Sequence, residues 1–227
     1  MIVKENLQEI CFQTGYKILK DKGTALVGMS PGNGYFKKEA IHELIDFASN
    51  LFSRTIIFIP DRPAEHNYKA IGESHQKAER LARLKGNTLR NHTNNSIQNI
   101  LSNQPNKNIK LLDWKQDIEC NNSYIQQFEI LYELYKNNNL FYQDTRDTSL
   151  QVIKSGIKEN IDIEKALDEA VLFLIKELAF LLVSPDLFQV ESFTYIYHKN
   201  WPVFENLIAG KYDGIVRKNI GYVIVIK

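Results

Sequence analysis

Five short apolar runs, each followed by a stretch of different periodicity, constrain this 227-residue chain more than any other feature. They are Thr24–Met29, Thr55–Ile59, Ile109–Trp114, Phe193–Tyr197 and Tyr222–Ile226. Each is too short for a helix, and mostly apolar rather than alternating, so each reads as a strand buried on both faces. Between them, Phe36–Phe52 sets Ala40, Ile41, Leu44, Phe47, Ala48 and Leu51 on one helical stripe. Pro63–Leu101 reads as one or two helices with breaks at Gly72 and Gly86. Ser123–Lys136 groups Phe128, Leu131, Tyr132 and Tyr135, and Ile163–Val183 should end at Ser184-Pro185, where proline cannot continue a helix. The stretch from Asn91 to Asn108, with seven asparagines, reads as a fraying helix end followed by a loop. Strands alternating with helices predict right-handed crossovers and a mainly parallel sheet in one α/β domain spanning 1–227.

A net charge of +1 means that any polyanion site must be a local patch. The longest apolar run, Ala170 to Val183, is interrupted by Lys176 and Glu177, so no membrane span is expected. The opening MIVKENLQEICF has no apolar signal segment. Cys11 and Cys120 have neither metal nor redox spacing and read as reduced thiols of a cytoplasmic protein. The five histidines show no H-E-x-x-H spacing, and no metal site is expected.

The first strand runs into Leu26–Phe36, LVGMSPGNGYF. Gly28-Met29-Ser30-Pro31-Gly32 fits the hydrolase elbow G-x-S-x-G, but that elbow uses the N–H after the serine as an oxyanion donor, and Pro31 has none. Gly32-Asn33-Gly34 starts like a dinucleotide fingerprint, but Lys37 stands where the third glycine belongs. The alternative is a plain strand-to-helix turn with Ser30 and Asn33 satisfying backbone groups. Ligands of open parallel sheets nevertheless bind beyond the carboxyl ends of strands, which is where Ser30 falls.

Three other clusters carry chemistry. Lys77, Arg80, Arg83, Lys85 and Arg90 form a basic helical stretch with Glu79 as its one acid, suited to phosphate contact without base specificity or, equally, to a solvated face. Glu177 lies within the most apolar helix, where a carboxyl either shifts upward toward a general base or marks, with Lys176, a narrow exposed edge. Tyr195, Tyr197 and His198 end the fourth strand, with His198 emerging near Ser30 or serving structure alone.

Taken in order, Gly28-Met29-Ser30 with Asn33, Phe173-x-x-x-Glu177, and Tyr197-His198 resemble the cyclodipeptide synthase family over nearly the whole chain. Asn33, Tyr197 and His198 are similar to the signature of its Asn/Tyr/His subfamily. The resemblance implies a Rossmann-like fold, with a mainly parallel five-stranded sheet flanked by helices, similar to the catalytic domain of class I tyrosyl- and tryptophanyl-tRNA synthetases. Neither HIGH, KMSKS nor a Walker loop occurs, which suits substrates that arrive activated.

What it further implies is a monomer without cofactor that joins two aminoacyl-tRNAs into a 2,5-diketopiperazine, with no DNA or membrane partner. Ser30 would be the nucleophile, Glu177 would bind or deprotonate the amine, and Tyr197 would relay protons. Gly28, Asn33, Phe58, Phe173 and His198 would surround the aminoacyl group. Lys77, Arg80, Arg83, Lys85 and Arg90 would meet tRNA. The chain departs from the family pattern at Phe173, where a tyrosine is usual, at Thr24 for a histidine, at Met29 for an aliphatic residue and at Ala179 for a proline. A noncatalytic tRNA-binding module and a serine acyl-hydrolase are the rival readings.

Overall fold

A computed structural model describes residues 23–158, 160–215 and 220–225, leaving Cys11 and Ile226 outside the described residues. Five strands form one sheet: β1 (Thr24–Gly28), β2 (Arg54–Phe58), β3 (Ile109–Leu111), β4 (Phe193–Tyr197) and β5 (Ile220–Ile224). Their order is β3-β2-β1-β4-β5 and every pairing is parallel. This is the expected Rossmann-like arrangement. Every residue of β1, β4 and β5 is buried, which accounts for their lack of polar alternation. Strand β3 is shorter than the sequence suggests, because Trp114 turns into a π-helix, Trp114–Glu119, started by the Asp113 carboxylate accepting from Gln116 N–H.

The flanking helices are α1 (Lys38–Leu51), α2 (Ala64–Ala70), α3 (His75–Asn103), α4 (Asn122–Asn137), α5 (Asn139–Ile153), α6 (Ile163–Leu187) and α7 (Pro202–Ile208). Helix α6 packs against α2, α4 and α5, while α1 packs against α3. The break at Gly72 occurs, with φ +91 just past α2. The break at Gly86 does not. Helix α3 runs unbroken through Gly86 and the asparagine-rich stretch, because its hidden stripe consists of small residues: Ala78, Ala82, Gly86, Leu89, Thr93, Ser96 and Ile100. Asn91, Asn94, Asn95, Asn99 and Asn103 all face outward. Helix α6 likewise continues past Pro185, since Phe188 N–H and Val190 N–H bond back to the Ser184 and Pro185 carbonyls and hold the last turn together. Helices α5 and α7 were not expected. Their starts are set by Asn138, whose side chain accepts from Phe141 N–H, and by Pro202 in the first turn.

Gly86 marks a close approach: a Cβ there would lie 2.4 Å from Asp61 Cβ. Replacing a helix-interior glycine with alanine ordinarily stabilises by about 1 kcal/mol. Overpacking costs about 1–3 kcal/mol, and here it would also disturb the Asp61–Arg90 ion pair at 3.0 Å. Gly86→Ala should therefore lower stability in urea denaturation; a gain would show that the Asp61 loop yields freely.

Candidate active site

The sheet order reverses between β1 and β4, and the chain leaves both strands at their carboxyl ends there. Ser30 to Asn33 form a tight turn closed by Asn33 N–H donating to the Ser30 carbonyl at 3.3 Å. Pro31 at its second position and Gly32, with φ +79, at its third suit a type II turn. This turn lifts the Ser30 side chain toward β4. Ser30 Oγ lies 2.8 Å from the Tyr197 hydroxyl, a hydrogen bond between residues 167 apart in sequence.

Asn33 anchors the other side of the turn. Tyr35 N–H donates to its Oδ1 at 3.0 Å, which fixes the amide orientation. Its Nδ2 therefore faces His198 Nε2 at 2.7 Å and, being a donor only, makes that ring nitrogen an acceptor. Burial, followed by the charge of Lys199, pushes His198 down to about 4, so the neutral ring matches this geometry. The ring also stacks on Tyr35 at 4.4 Å between centroids. His198 thus orients Asn33.

Glu177 lies in a helix that is apolar on nearly every side and is itself 0% exposed. Neither carboxyl oxygen has a hydrogen-bond partner among the described residues. Of the two sequence readings, the exposed edge does not hold: Glu177 is buried and Lys176 is half-buried, its Nζ reaching His66 Nε2 at 3.0 Å. Burial raises Glu177 to about 8, so the resting carboxyl is largely protonated at neutral pH. Burial, then the Glu177 charge, raises the Tyr197 phenol well above its ordinary value, so it rests as O–H.

Ser30, Asn33, Phe173 and Tyr197 border one open cavity of about 340 Å³. Tyr68, Asn67, Lys199 and Trp201 border it too, and sequence reasoning did not single them out. Tyr68 lies inside the stretch that reads as one or two helices, Pro63–Leu101, and belongs to no motif; its spacing from Phe173 carries no signal. Gly28 and Phe58 lie deeper. A Cβ on Gly28 would meet the Tyr195 hydroxyl at 2.7 Å and Phe58 Cζ at 2.9 Å. Phe58 is enclosed by Trp114, Phe180 and Tyr195.

The five basic residues divide. Arg80, Arg83 and Lys85 are exposed and form no ion pair among the described residues. Lys77 pairs with Glu73 at 2.7 Å. Arg90 is tied to the protein body, donating to the Asp61 carboxylate and the Leu112 carbonyl, each at 3.0 Å.

Glu177 makes stability depend on pH. Between its ordinary 4.5 and about 8, the folded protein keeps a proton that the unfolded chain has lost, so stability falls as pH rises through that window. Glu177→Gln should differ from wild type by a margin that grows in the variant's favour from about pH 4.5 to about pH 8 in urea titrations. A margin constant with pH would contradict the neutral buried carboxyl.

Comparison with known proteins identifies the family. The sequence profile described as Cyclodipeptide synthase matches residues 11–227. The cyclo(L-leucyl-L-leucyl) synthase of Photorhabdus laumondii is 26% identical, over 92% of this chain and 91% of its own. A crystal structure of a cyclodipeptide synthase from Bacillus thermoamylovorans superposes with a TM-score of 0.85 at 23% identity, covering 100% of this chain and 98% of that one. A structure of the cyclodipeptide synthase from Candidatus Glomeribacter gigasporarum, bound to Phe-tRNAPhe, has a TM-score of 0.59 at 14% identity, covering 89% of this chain and 87% of that one. The tyrosyl-tRNA synthetase of Archaeoglobus fulgidus shares the fold at a TM-score of 0.55 and 12% identity, over 97% of this chain and 61% of that one. With a profile match spanning nearly its full length, the chain belongs to the cyclodipeptide synthase family.

Proposed function

We propose that this protein joins two aminoacyl-tRNAs into a 2,5-diketopiperazine by ping-pong transfer through Ser30. The observation that carries the reading is the 2.8 Å hydrogen bond between Ser30 Oγ and the Tyr197 hydroxyl on the cavity wall, with the Glu177 carboxyl sealed nearby. Membership of the family supports it, as does the tRNA bound to the Glomeribacter relative.

Ser30 Oγ attacks the ester carbon of the first aminoacyl-tRNA. The new O–C bond replaces the bond to the tRNA ribose, whose oxygen leaves with a proton. Tyr197 relays that proton, accepting the one from Ser30 as it gives up its own. The amine of the Ser30-bound residue then attacks the second aminoacyl ester and releases the second tRNA. Last, the new terminal amine attacks the Ser30 ester, closes the ring and frees Ser30. Splitting the reaction through a covalent ester is nucleophilic catalysis. Each amine attacks as the free base. An arriving ammonium lowers the neighbouring carboxyl's pKa, so Glu177 ionises beside it and becomes able to take its proton. Ring closure needs a cis peptide, which costs about 3 kcal/mol, so the cavity must hold that geometry.

Two tests follow. Ser30→Ala should abolish both the diketopiperazine and the aminoacyl adduct in mass spectrometry; product from that variant would remove Ser30 from the mechanism. Arg80→Ala with Arg83→Ala should weaken tRNA affinity and lower the salt slope by about 1–2 without changing thermal stability. Arg90→Ala should do the reverse and mainly lower thermal stability, since its charge is held by Asp61.

A further inference from the structure

Attack by Ser30 would turn the ester carbonyl oxygen into an oxyanion, which needs a hydrogen-bond donor set in place beforehand. The residue after the serine is proline and offers no N–H. Two neighbouring side chains are partly engaged: one N–H of the Asn33 Nδ2 by His198, and the Tyr197 hydroxyl by Ser30 itself.

Tyr68 is not committed. It comes from α2, borders the same cavity, and is half-buried. Its hydroxyl has no hydrogen bond among the described residues. A Cβ built on Gly32 would lie 2.5 Å from that hydroxyl, so the phenol rests against the turn that carries Ser30. The ring is held in a small apolar cluster with Ala64, Ala82 and Phe173. Phe173 contributes no hydroxyl, so the phenols that border this cavity are Tyr197, bonded to Ser30, and Tyr68.

We infer that Tyr68 is a catalytic residue for acyl transfer, its O–H donating to the carbonyl oxygen of the aminoacyl ester as Ser30 attacks. The inference rests on the Ser30 reading above. As the Ser30 Oγ–C bond forms, the carbonyl electron pair moves onto the oxygen held by Tyr68. When C=O re-forms, the bond to the tRNA ribose oxygen breaks and that oxygen takes the proton relayed from Ser30. Tyr68 donates throughout and keeps its own proton, in line with the raised pKa that burial gives its phenol. Gly32 has two reasons to be glycine, its positive φ and the phenol against it.

The test is single-turnover acylation of Ser30 by total tRNA charged with labelled amino acids, quenched in acid and read by intact mass. Tyr68→Phe keeps the ring on Phe173 and removes only the hydroxyl. Acylation should slow by about 10²-fold or more, with little change in the tRNA concentration giving half-maximal rate and an unchanged melting temperature. Ser155→Ala, at another edge of the cavity, should acylate at close to the wild-type rate. A Tyr68→Phe rate equal to wild type overturns the inference, as does a loss confined to half-saturation. A wild-type protein that never forms the adduct overturns the Ser30 reading, a result distinct from either.

Discussion

The parallel pairing of β1 with β4 is the contact on which everything functional in this molecule depends. It joins Thr24–Val27 to Phe193–Ile196 in register, so the two strands end side by side and in the same direction. From this junction the sheet grows outward both ways, to β2 and β3 and to β5, and the connections leave a crevice that no loop crosses by necessity. Ser30 and Tyr197 meet only because of this pairing. Aromatic burial steadies β4 on its other side: Tyr195 lies opposite Tyr222 of β5 with rings stacked at 5.4 Å, and both pack edge-on to Phe204. Each such side chain contributes roughly 1.5–3 kcal/mol of burial, which makes the strand ends a rigid base for a reactive hydroxyl.

That rigidity offsets the cost of Glu177. A buried polar group without a partner costs about 1–3 kcal/mol, and Glu177 has two such oxygens with the Tyr195 hydroxyl as a third unpartnered atom. An ionised carboxylate would cost far more, and so the group rests protonated. The arrangement suits a site that waits for a cation. In the proposed reaction, an amine arriving in that surrounding would supply both the missing hydrogen bonds and the charge that draws the proton off. The tight packing of Phe58 and Tyr195 over Gly28 shows how little spare volume lies on that side.

Much of this was legible in the sequence, and the limits have physical causes. Strands buried on both faces declare themselves through uninterrupted apolar runs, and the Ser30 turn through proline and glycine at fixed positions. Glu177 stood out because a carboxyl in an apolar helix is costly. What stayed hidden was encoded in small or repeated polar residues. The buried stripe of α3 consists of alanine, glycine, threonine and serine, which hydrophobic periodicity does not weigh, while the outward asparagines looked like a loop. Pro185 looked terminal because a proline removes one hydrogen bond, yet the turn beyond it closes through other carbonyls. Tyr68 meets Ser30's turn only through tertiary packing, so no spacing could announce it.

Helix α3 connects the surface to the chemistry. Its amino-terminal half presents Arg80, Arg83 and Lys85 outward. Its middle is pinned by Gly86 against Asp61 and by Arg90 to Asp61 and Leu112, which lie just beyond the ends of β2 and β3. One turn further on, the Thr93 hydroxyl reaches the sulfur of Met29, the residue before Ser30, at 3.6 Å. The helix that presents these exposed cations is therefore fixed, through buried contacts, to the strand that leads into Ser30. A polyanion held along the first half would be held at a set distance and angle from Ser30, with little freedom lost on binding because α3 is already in place. On the proposed reading, the positioning of a large substrate for a small chemical step would thus be built into a single helix, and Gly86, the position that reads as its break, is what lets α3 lie close to Asp61.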